Sequence, residues 1–465
     1  MMKIEKIKRV FFDTLSASMT WVIFFYYRKK ILEKSDFQIS DTLIYGTAVV
    51  AVLWLIIYIL SGTYVDVRRV SRLNELYRTI LQTIFGSILI FFFLIIDDIE
   101  NYNNYTLYYE AILTLISLHF LFTFFTRYTL TNSMVKKINN KEITFKTILI
   151  GTPESILNTF NRFVKMKRSA GNEFIGYINT EDSKVIKNLK IRNLGEIRNL
   201  ENTISTYEIE EAILAFDDKH NYNITDIINT LIYNEIITKV TPNMMDLLSG
   251  KVKMQSFFNI SLIQIEQIKM SVLQKVIKRL TDVIVSISAL TLLSPLLISI
   301  AIVVKMTSKG PIFYTQKRIG HKKKYFNIIK FRSMHVNAEK NTPLLSSEND
   351  KRTTSFGKIM RRYRLDELPQ FYNVLIGEMS IIGPRPEREF FAKQILLKAP
   401  HYKLIYKVKP GITSWGMVKF GYAENVEEMV ARLRYDIIYL ENLSLLNDFK
   451  VFLLTIFIVI QGRGK

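Results

Sequence analysis

Four apolar segments crowd the first third of the chain: Val10–Tyr27, Thr42–Leu60, Ile80–Ile96 and Ala111–Leu130. Each approaches the ~20 residues that a helix needs to cross hydrocarbon. Buried helices of a soluble bundle would carry a polar face, whereas these are apolar all round and closely spaced, which favours spans. Basic residues mark the start (Lys3, Lys6, Lys8, Arg9), the second loop (Arg68, Arg69, Arg72, Arg78) and the stretch after the fourth segment (Arg127, Lys136, Lys137). The third loop carries Asp97, Asp98 and Glu100. Positive charge stays cytoplasmic, so both ends of this unit are expected on the cytoplasmic face. Arg28, Lys29 and Lys30 vote the other way. No cleavable signal peptide is evident, because the first apolar run ends in Arg28-Lys29-Lys30 without a small-residue cleavage site.

The chain has 465 residues, a formal net charge of +21 and no cysteine. Disulfides and thiolate metal sites are excluded, and no two of the five histidines have zinc-ligand spacing. Such a basic excess calls for an anionic partner, and the long apolar runs favour lipid headgroups or phosphorylated substrates over nucleic acid. Residues 143–250 read as a soluble α/β domain. Its strands are Phe145–Ile150, Phe174–Ile178 and Ala212–Phe216, and its helices Glu154–Val164 and Ile224–Ile237. The alternation suggests a parallel, Rossmann-like sheet. The first strand ends in Gly151-Thr152-Pro153 without a G-x-G-x-x-G loop, so no dinucleotide is expected, and a structural, regulatory or oligomerising role is favoured.

A fifth apolar run, Val283–Val304, has the length of a span but carries Ser294-Pro295 at its middle. Proline removes a helix hydrogen bond and bends the chain. Lys275, Lys278 and Arg279 precede the run, and Lys305 and Lys309 follow it, so a spanning helix would carry one basic flank outside. A broken, re-entrant helix satisfies both observations, with Ser288, Thr291 and Ser294 available to satisfy exposed backbone groups.

The chemistry concentrates between Arg361 and Glu387, where Asp366-Glu367 sits among Arg361, Arg362, Arg364 and Arg385. Arginine grips phosphate with paired hydrogen bonds, and an adjacent carboxylate can attack phosphorus or hold a hard cation. The pair also suits a helix N-terminal cap, which would not exclude catalysis.

Several motifs then appear in a fixed order: Lys278-Arg279-Leu280-x-Asp282, the Ser-Pro-broken helix, Gly310-Pro311-x-Phe313 through Gln316-x-Arg318-x-Gly320, and Lys330-Phe331-Arg332-Ser333-Met334. Leu365-Asp366-Glu367-Leu368-Pro369-Gln370, Gly383-Pro384-Arg385-Pro386 and Lys409-Pro410-Gly411-Ile412-Thr413 follow. In this order they resemble the bacterial sugar transferases, the polyprenyl-phosphate hexose-1-phosphate transferases, over residues 275–465. The four spans and α/β unit resemble the larger members.

The resemblance implies three parts: an integral membrane helical bundle (1–135), the Rossmann-like α/β domain (143–250), and a membrane-associated, mainly α catalytic domain (270–465) with a re-entrant helix at 283–304. It implies a multi-pass protein of the bacterial inner membrane with its soluble parts in the cytoplasm, and the larger members suggest a homodimer. The implied reaction is ping-pong. Asp366 attacks a UDP-sugar and expels UMP, and a polyprenyl (undecaprenyl) phosphate then takes the phosphosugar, a first membrane step of polysaccharide synthesis. Glu367 matches the family's metal-binding carboxylate and is the expected Mg²⁺ ligand. Arg361 and Arg385 neutralise charge, and Lys330, Arg332 and Asp436 are further candidate substrate contacts; for Asp436 a structural salt bridge is equally consistent.

Lys322-Lys323-Lys324 are expected against anionic headgroups. Many members continue Gly-Ile-Thr-Gly-Trp-Ala-Gln-Val-Asn-Gly-Arg where this chain reads Gly411-Ile412-Thr413-Ser414-Trp415-Gly416-Met417-Val418-Lys419-Phe420-Gly421. The amide and the arginine are absent, leaving Lys419 as the substitute. Val451–Ile460 suits an interfacial or a core helix. Two alternatives remain at this stage, a membrane glycosyltransferase that releases UDP and a non-catalytic assembly scaffold. A transporter fits poorly, because the four spans hold almost no ionisable residues at mid-depth.

Overall fold

The computed structural model describes residues 2–32, 34–95, 105–166, 171–180, 191–216, 224–241, 262–265, 269–336, 338, 345 and 350–462. The acidic loop residues Asp97, Asp98 and Glu100 lie outside them. Two compact units emerge, one built from Met1–Thr144 with Lys167–Gly171 and Ser271–Leu273, the other from Phe145–Met166, Asn172–Met270 and Gln274–Lys465.

The first unit consists of α1 (Met2–Tyr27), α2 (Asp41–Leu60), α3 (Arg72–Ile90) and α4 (Tyr105–Asn139). Together with their π-helical extensions they supply four segments long and apolar enough to cross a membrane. Their shared core gathers Trp21, Phe24, Trp54, Tyr58, Ile90 and Leu115. Inside the bundle lies an ionic network hidden from any local pattern. Arg127 of α4 donates to both carboxylate oxygens of Asp13 in α1, at 2.8 and 3.0 Å, and to Gln82 of α3 at 2.7 Å. Tyr64 donates to Asp13 at 2.8 Å, and Arg9 pairs with Glu75. Arg127 therefore belongs inside a helix, fully buried, and is not a flanking charge. The buried Asp13 of α1 and Arg127 of α4 compensate one another, which is how such groups persist in an apolar bundle.

The second unit opens with a six-stranded sheet of order β3-β2-β1-β4-β5-β6, comprising β1 (Phe145–Gly151), β2 (Asn172–Asn179), β3 (Arg192–Asn193), β4 (Glu211–Ala215), β5 (Ile237–Val240) and β6 (Ile263–Gln264). All pairings are parallel except that of β6. Alternate residues feed two separate cores, Ile148, Ile150 and Leu214 on one face and Leu149, Ile213 and Ala215 on the other. Burial on both faces explains why these strands read as continuous apolar runs. Helix α5 spans Pro153–Val164, α6 Leu200–Tyr207 and α7 Ile224–Tyr233. The sequence reading carried α7 on to Ile237, but Glu235 adopts φ 60° and Ile236 N–H closes the helix on Leu231 O at 3.0 Å. Ile237 is thus the first residue of β5. A four-residue strand directly after a turn is too short for periodicity to tell it from the end of a helix.

The remainder begins with α8 (Val272–Leu292) and α9 (Ser294–Thr307), which meet at a 61° bend. Pro295 has no N–H to continue the first helix, and Ser294 Oγ donates to the Thr291 carbonyl at 2.7 Å. Both arms hold on to the same core. Lys278 donates to Ile382 O (3.0 Å) and pairs with Asp448 (2.6 Å), Arg279 donates to the Val374 and Leu375 carbonyls (2.7 and 2.8 Å), and Asp282 accepts from Ile381 N–H at 3.0 Å. The Lys-Arg-Leu-x-Asp motif is thus the clamp for the first arm. On the second arm, Ile300 and Val304 pack on Phe331 and Met360, with Leu365 and Leu368 alongside.

That core comprises the hairpin β7 (Phe313–Ile319) and β8 (Tyr325–Phe331), then α10 (Ser355–Arg362), α11 (Gln370–Ile376), β9 (Ser380–Ile382), α12 (Glu389–Lys398), β10 (Gly411–Thr413), α13 (Trp415–Lys419), α14 (Val426–Glu441) and α15 (Leu445–Ile460). A 3₁₀ segment, Pro400–Lys407, joins α12 to β10 and meets the α/β portion: Lys403 donates to Thr230 at 2.7 Å and Lys407 to the Ile232 carbonyl at 2.7 Å. Lys323, at the β7–β8 turn, lies 4.9 Å from the Tyr233 ring. Helix α15 buries Val451 while leaving Phe449, Phe457 and Ile460 exposed, so one face is core and the other is available to an interface.

Candidate active site

Thr354 caps α10 by accepting from Gly357 N–H at 2.9 Å, and the helix ends at Arg362. Arg364 then takes φ 55°, turning the chain into a single 3₁₀ turn, Leu365–Glu367. Leu365 and Leu368 enter the core beside α9, and this fixes the two carboxylates between them. Across from them, Asn373 brackets α11 to β8, accepting from Ile329 N–H (3.1 Å) and donating to Asn327 O (2.8 Å). This bracket sets Lys330 opposite Glu367.

Behind, β9 and β10 pair in parallel, and the chains cross where Gly383 and Gly411 touch. A Cβ on Gly411 would meet Gly383 N at 2.1 Å, so neither position has room for a side chain. From this crossing the Gly-Pro-Arg-Pro turn presents Arg385.

These elements enclose a cavity of about 450 Å³. Lys330, Arg332, Ser333, Arg361, Asp366, Arg385 and Tyr422 line it, with Arg318, Glu387, Arg388 and Arg432 in another part of the wall. Of the residues singled out by the sequence, Lys330, Arg332, Arg361, Asp366 and Arg385 thus converge. Glu367 is buried beside the cavity and held by three cations: Lys330 Nζ at 2.7 Å, Arg364 at 3.5 Å and Arg385 at 3.7 Å. Asp436 is not among the lining residues. It accepts from Gly416 N–H at 2.9 Å and holds the start of α13. Lys419 lies 5.0 Å over the Trp415 ring, and the lining at that loop is supplied by Tyr422.

Arg332 does two things. Its Nη2 donates to Ser308 O and Oγ at 2.7 and 2.8 Å, tying the end of α9 to β8. Its Nε and Nη1 are buried without a hydrogen-bond partner, which equips that edge for an anion. Arg361 donates to Ser333 Oγ at 3.0 Å.

The neighbouring carboxyls differ in charge. Burial pushes both up, but Lys330, then Arg385 and Arg364, pull Glu367 well below the carboxylate range. For Asp366 burial wins over Lys330, and the adjacent Glu367 charge adds to it, so its pKa lies above the usual value. Burial depresses the Lys330 ammonium, opposed by Glu367. Burial also pushes Asp436 up to about 6, against the pull of Arg432. A carboxyl in a cavity wall among guanidinium groups suits nucleophilic attack on a phosphate that those groups bind and neutralise.

The profile of the family described as bacterial sugar transferase matches residues 273–462, the whole of this site. The chain is 39% identical over 188 residues to a UDP-N-acetylgalactosamine-undecaprenyl-phosphate N-acetylgalactosaminephosphotransferase from Aeromonas hydrophila, covering 40% of this chain and 44% of that protein. It is 43% identical over 184 residues to a UDP-glucose:undecaprenyl-phosphate glucose-1-phosphate transferase from Klebsiella pneumoniae, covering 39% and 40%. It is 34% identical over 203 residues to the exopolysaccharide production protein ExoY from Sinorhizobium fredii, covering 40% of this chain and 87% of that protein. The chain belongs to the bacterial sugar transferase family. Its match spans less than half the length of the Aeromonas and Klebsiella relatives.

For a bacterial sugar transferase, the sequence gives Arg318, Arg364 and Glu387 no individual role, and it does not single out Tyr422 or Arg432. Arg432 donates to Glu387 at 2.6 Å, and Arg318 lies 3.3 Å from it. Arg364 stands two residues before Asp366 and was legible there. Tyr422 and Arg432 reach the cavity only through the fold.

Proposed function

We propose that this bacterial sugar transferase moves a sugar-1-phosphate from a UDP-sugar to a polyprenyl phosphate such as undecaprenyl phosphate, through a phosphosugar covalently held by Asp366, and releases UMP. The observation that carries this reading is the buried Asp366 carboxyl in the wall of a cavity that Lys330, Arg332, Arg361 and Arg385 also line. Asp366 attacks the sugar-bearing phosphorus and the bond to the UMP oxygen breaks. The UMP phosphate leaves with the electron pair. The polyprenyl phosphate oxygen then attacks the same phosphorus, displaces the Asp366 carboxylate and forms the diphosphate. Both steps bring an anion onto an anion, so neutralising charge is the main catalytic demand. The relatives' names, which specify UDP-sugar and undecaprenyl phosphate, support the substrate class.

Mg²⁺ belongs to this proposal. Among the described residues no group of three or more His, Asp or Glu side chains comes together that would hold an ion alone. Glu367 Oε2, however, is buried and accepts no hydrogen bond. With substrate phosphate oxygens it would offer the sparse oxygen set that Mg²⁺ takes. The ion would supply neutralisation of charge on the transferring phosphate.

The α8–α9 pair is read as a re-entrant hairpin. Both arms attach to one core, and the ten residues that follow Asp282, up to Leu292, rise about 15 Å, half of a hydrocarbon core of about 30 Å. The basic flanks support a reading in which this hairpin and the catalytic core lie on the cytoplasmic face of the inner membrane. The test is UMP and UDP release from UDP-glucose and UDP-N-acetylgalactosamine with undecaprenyl phosphate. Wild type should release UMP, and a folded Asp366→Asn protein should lose several orders of magnitude of turnover. UDP as the product, or near-wild-type UMP release by Asp366→Asn, would overturn the assignment.

A further inference from the structure

The two guanidinium groups nearest Glu367 are held in an unusual way. Arg364 and Arg385 lie 3.5 and 3.7 Å from its oxygens, beyond good charge-assisted hydrogen bonds. What they share is the ring of Tyr422. The guanidinium carbon of Arg364 lies 5.2 Å from the ring centroid and that of Arg385 5.5 Å. Arg385 also makes a soft contact with Met417 Sδ at 3.4 Å. Arg364 Nε is buried without a hydrogen-bond partner. Tyr422 is delivered by Gly421, whose φ of +90° turns the chain beyond α13, and it lines the cavity with Asp366 and Arg385.

An aromatic face attracts a guanidinium through its charge and consumes none of its N–H donors. Two like charges near one carboxylate also need something to fix their positions, and one ring contacting both does so. We propose that Tyr422 is a positioning residue of the transfer reaction, holding Arg364 and Arg385 by the ring so that their edge donors serve the phosphates of the donor substrate. The proposal rests on the phosphosugar-transfer reading above. The phenol stays neutral: burial pushes its pKa up, as does the Glu367 charge.

The experiment uses the full-length protein in lipid with undecaprenyl phosphate, UDP-glucose and UDP-N-acetylgalactosamine, and separately measures UMP binding without acceptor. Tyr422→Phe keeps the ring and should retain most of the turnover. Tyr422→Leu should lose about tenfold or more in kcat/KM and weaken UMP binding, with an unchanged unfolding midpoint. If Tyr422→Leu fails to fold, Tyr422→Met carries the same expectation. In an Arg364→Met background the Tyr422→Leu loss should shrink, because one of the two cations it positions is gone. Equal losses for Phe and Leu, a wild-type-like Leu variant, or strictly additive effects with Arg364→Met would overturn the proposal. If wild type releases no UMP, the transfer reading fails, while UMP binding by wild type and Tyr422→Leu still decides the role of the ring.

Discussion

Asp366 and Glu367 are adjacent, yet the cations around them are shared unequally. Lys330 is hydrogen-bonded to Glu367, so Glu367 keeps its charge and Asp366 bears the burial penalty. Its carboxylate is therefore a stronger base than a solvated one, and the unprotonated form is required for attack. Activity should rise with pH through a pKa above the usual Asp value. Lys330 is the largest influence lowering that pKa. Lys330→Met should thus move the acid limb of kcat/KM to higher pH, besides lowering activity at pH 7. A profile with an unshifted acid limb would show that Lys330 does not face the nucleophile. Glu367→Gln tests the metal role: its activity should demand more Mg²⁺ than wild type or vanish. Full wild-type activity in excess EDTA would remove the ion from the account.

At the scale of elements, the broken helix and the α/β portion were legible for different reasons. Ser294-Pro295 lies in a long apolar run, and the missing N–H of proline acts locally whatever surrounds it. The strands β1 and β4 announce themselves through apolar runs that both faces of the sheet require. The end of α7 did not, because a left-handed Glu235 is set by the docking of β5 beside β4 and leaves no mark in periodicity. Re-entry of α8–α9 has a direct topological test. The chain has no cysteine, so Lys275→Cys and Lys309→Cys can be labelled without background. Ser308 is unsuitable because Arg332 depends on it. Both sites should resist an impermeant thiol reagent in intact cells and react once the inner face is opened. Labelling of the Lys309 position alone in intact cells would establish a full span.

Across the whole molecule, the motifs around Asp366 were legible because they carry residue types that phosphate chemistry demands, whereas the contacts that assemble them were not. Nothing near Asp13 or Arg127 predicts that residues 114 apart form a buried pair, nor does the local sequence link Lys407 to α7. The Asp13–Arg127 pair should lock the helical bundle. Asp13→Leu leaves the buried Arg127 guanidinium with Gln82 and, at 3.9 Å, Glu75, and should cost about 3–5 kcal/mol of stability, and adding Arg127→Met should recover part of it. Unfolding midpoints in detergent would show this, and a neutral Asp13→Leu would contradict it. The central claim is the covalent step at Asp366, and intact-protein mass measurement after adding a UDP-sugar without lipid acceptor tests it most directly. The account predicts a gain equal to one phosphosugar, mapped to Asp366, accompanied by UMP and discharged by undecaprenyl phosphate. UMP formation only when acceptor is present, with no adduct on the protein, would contradict it.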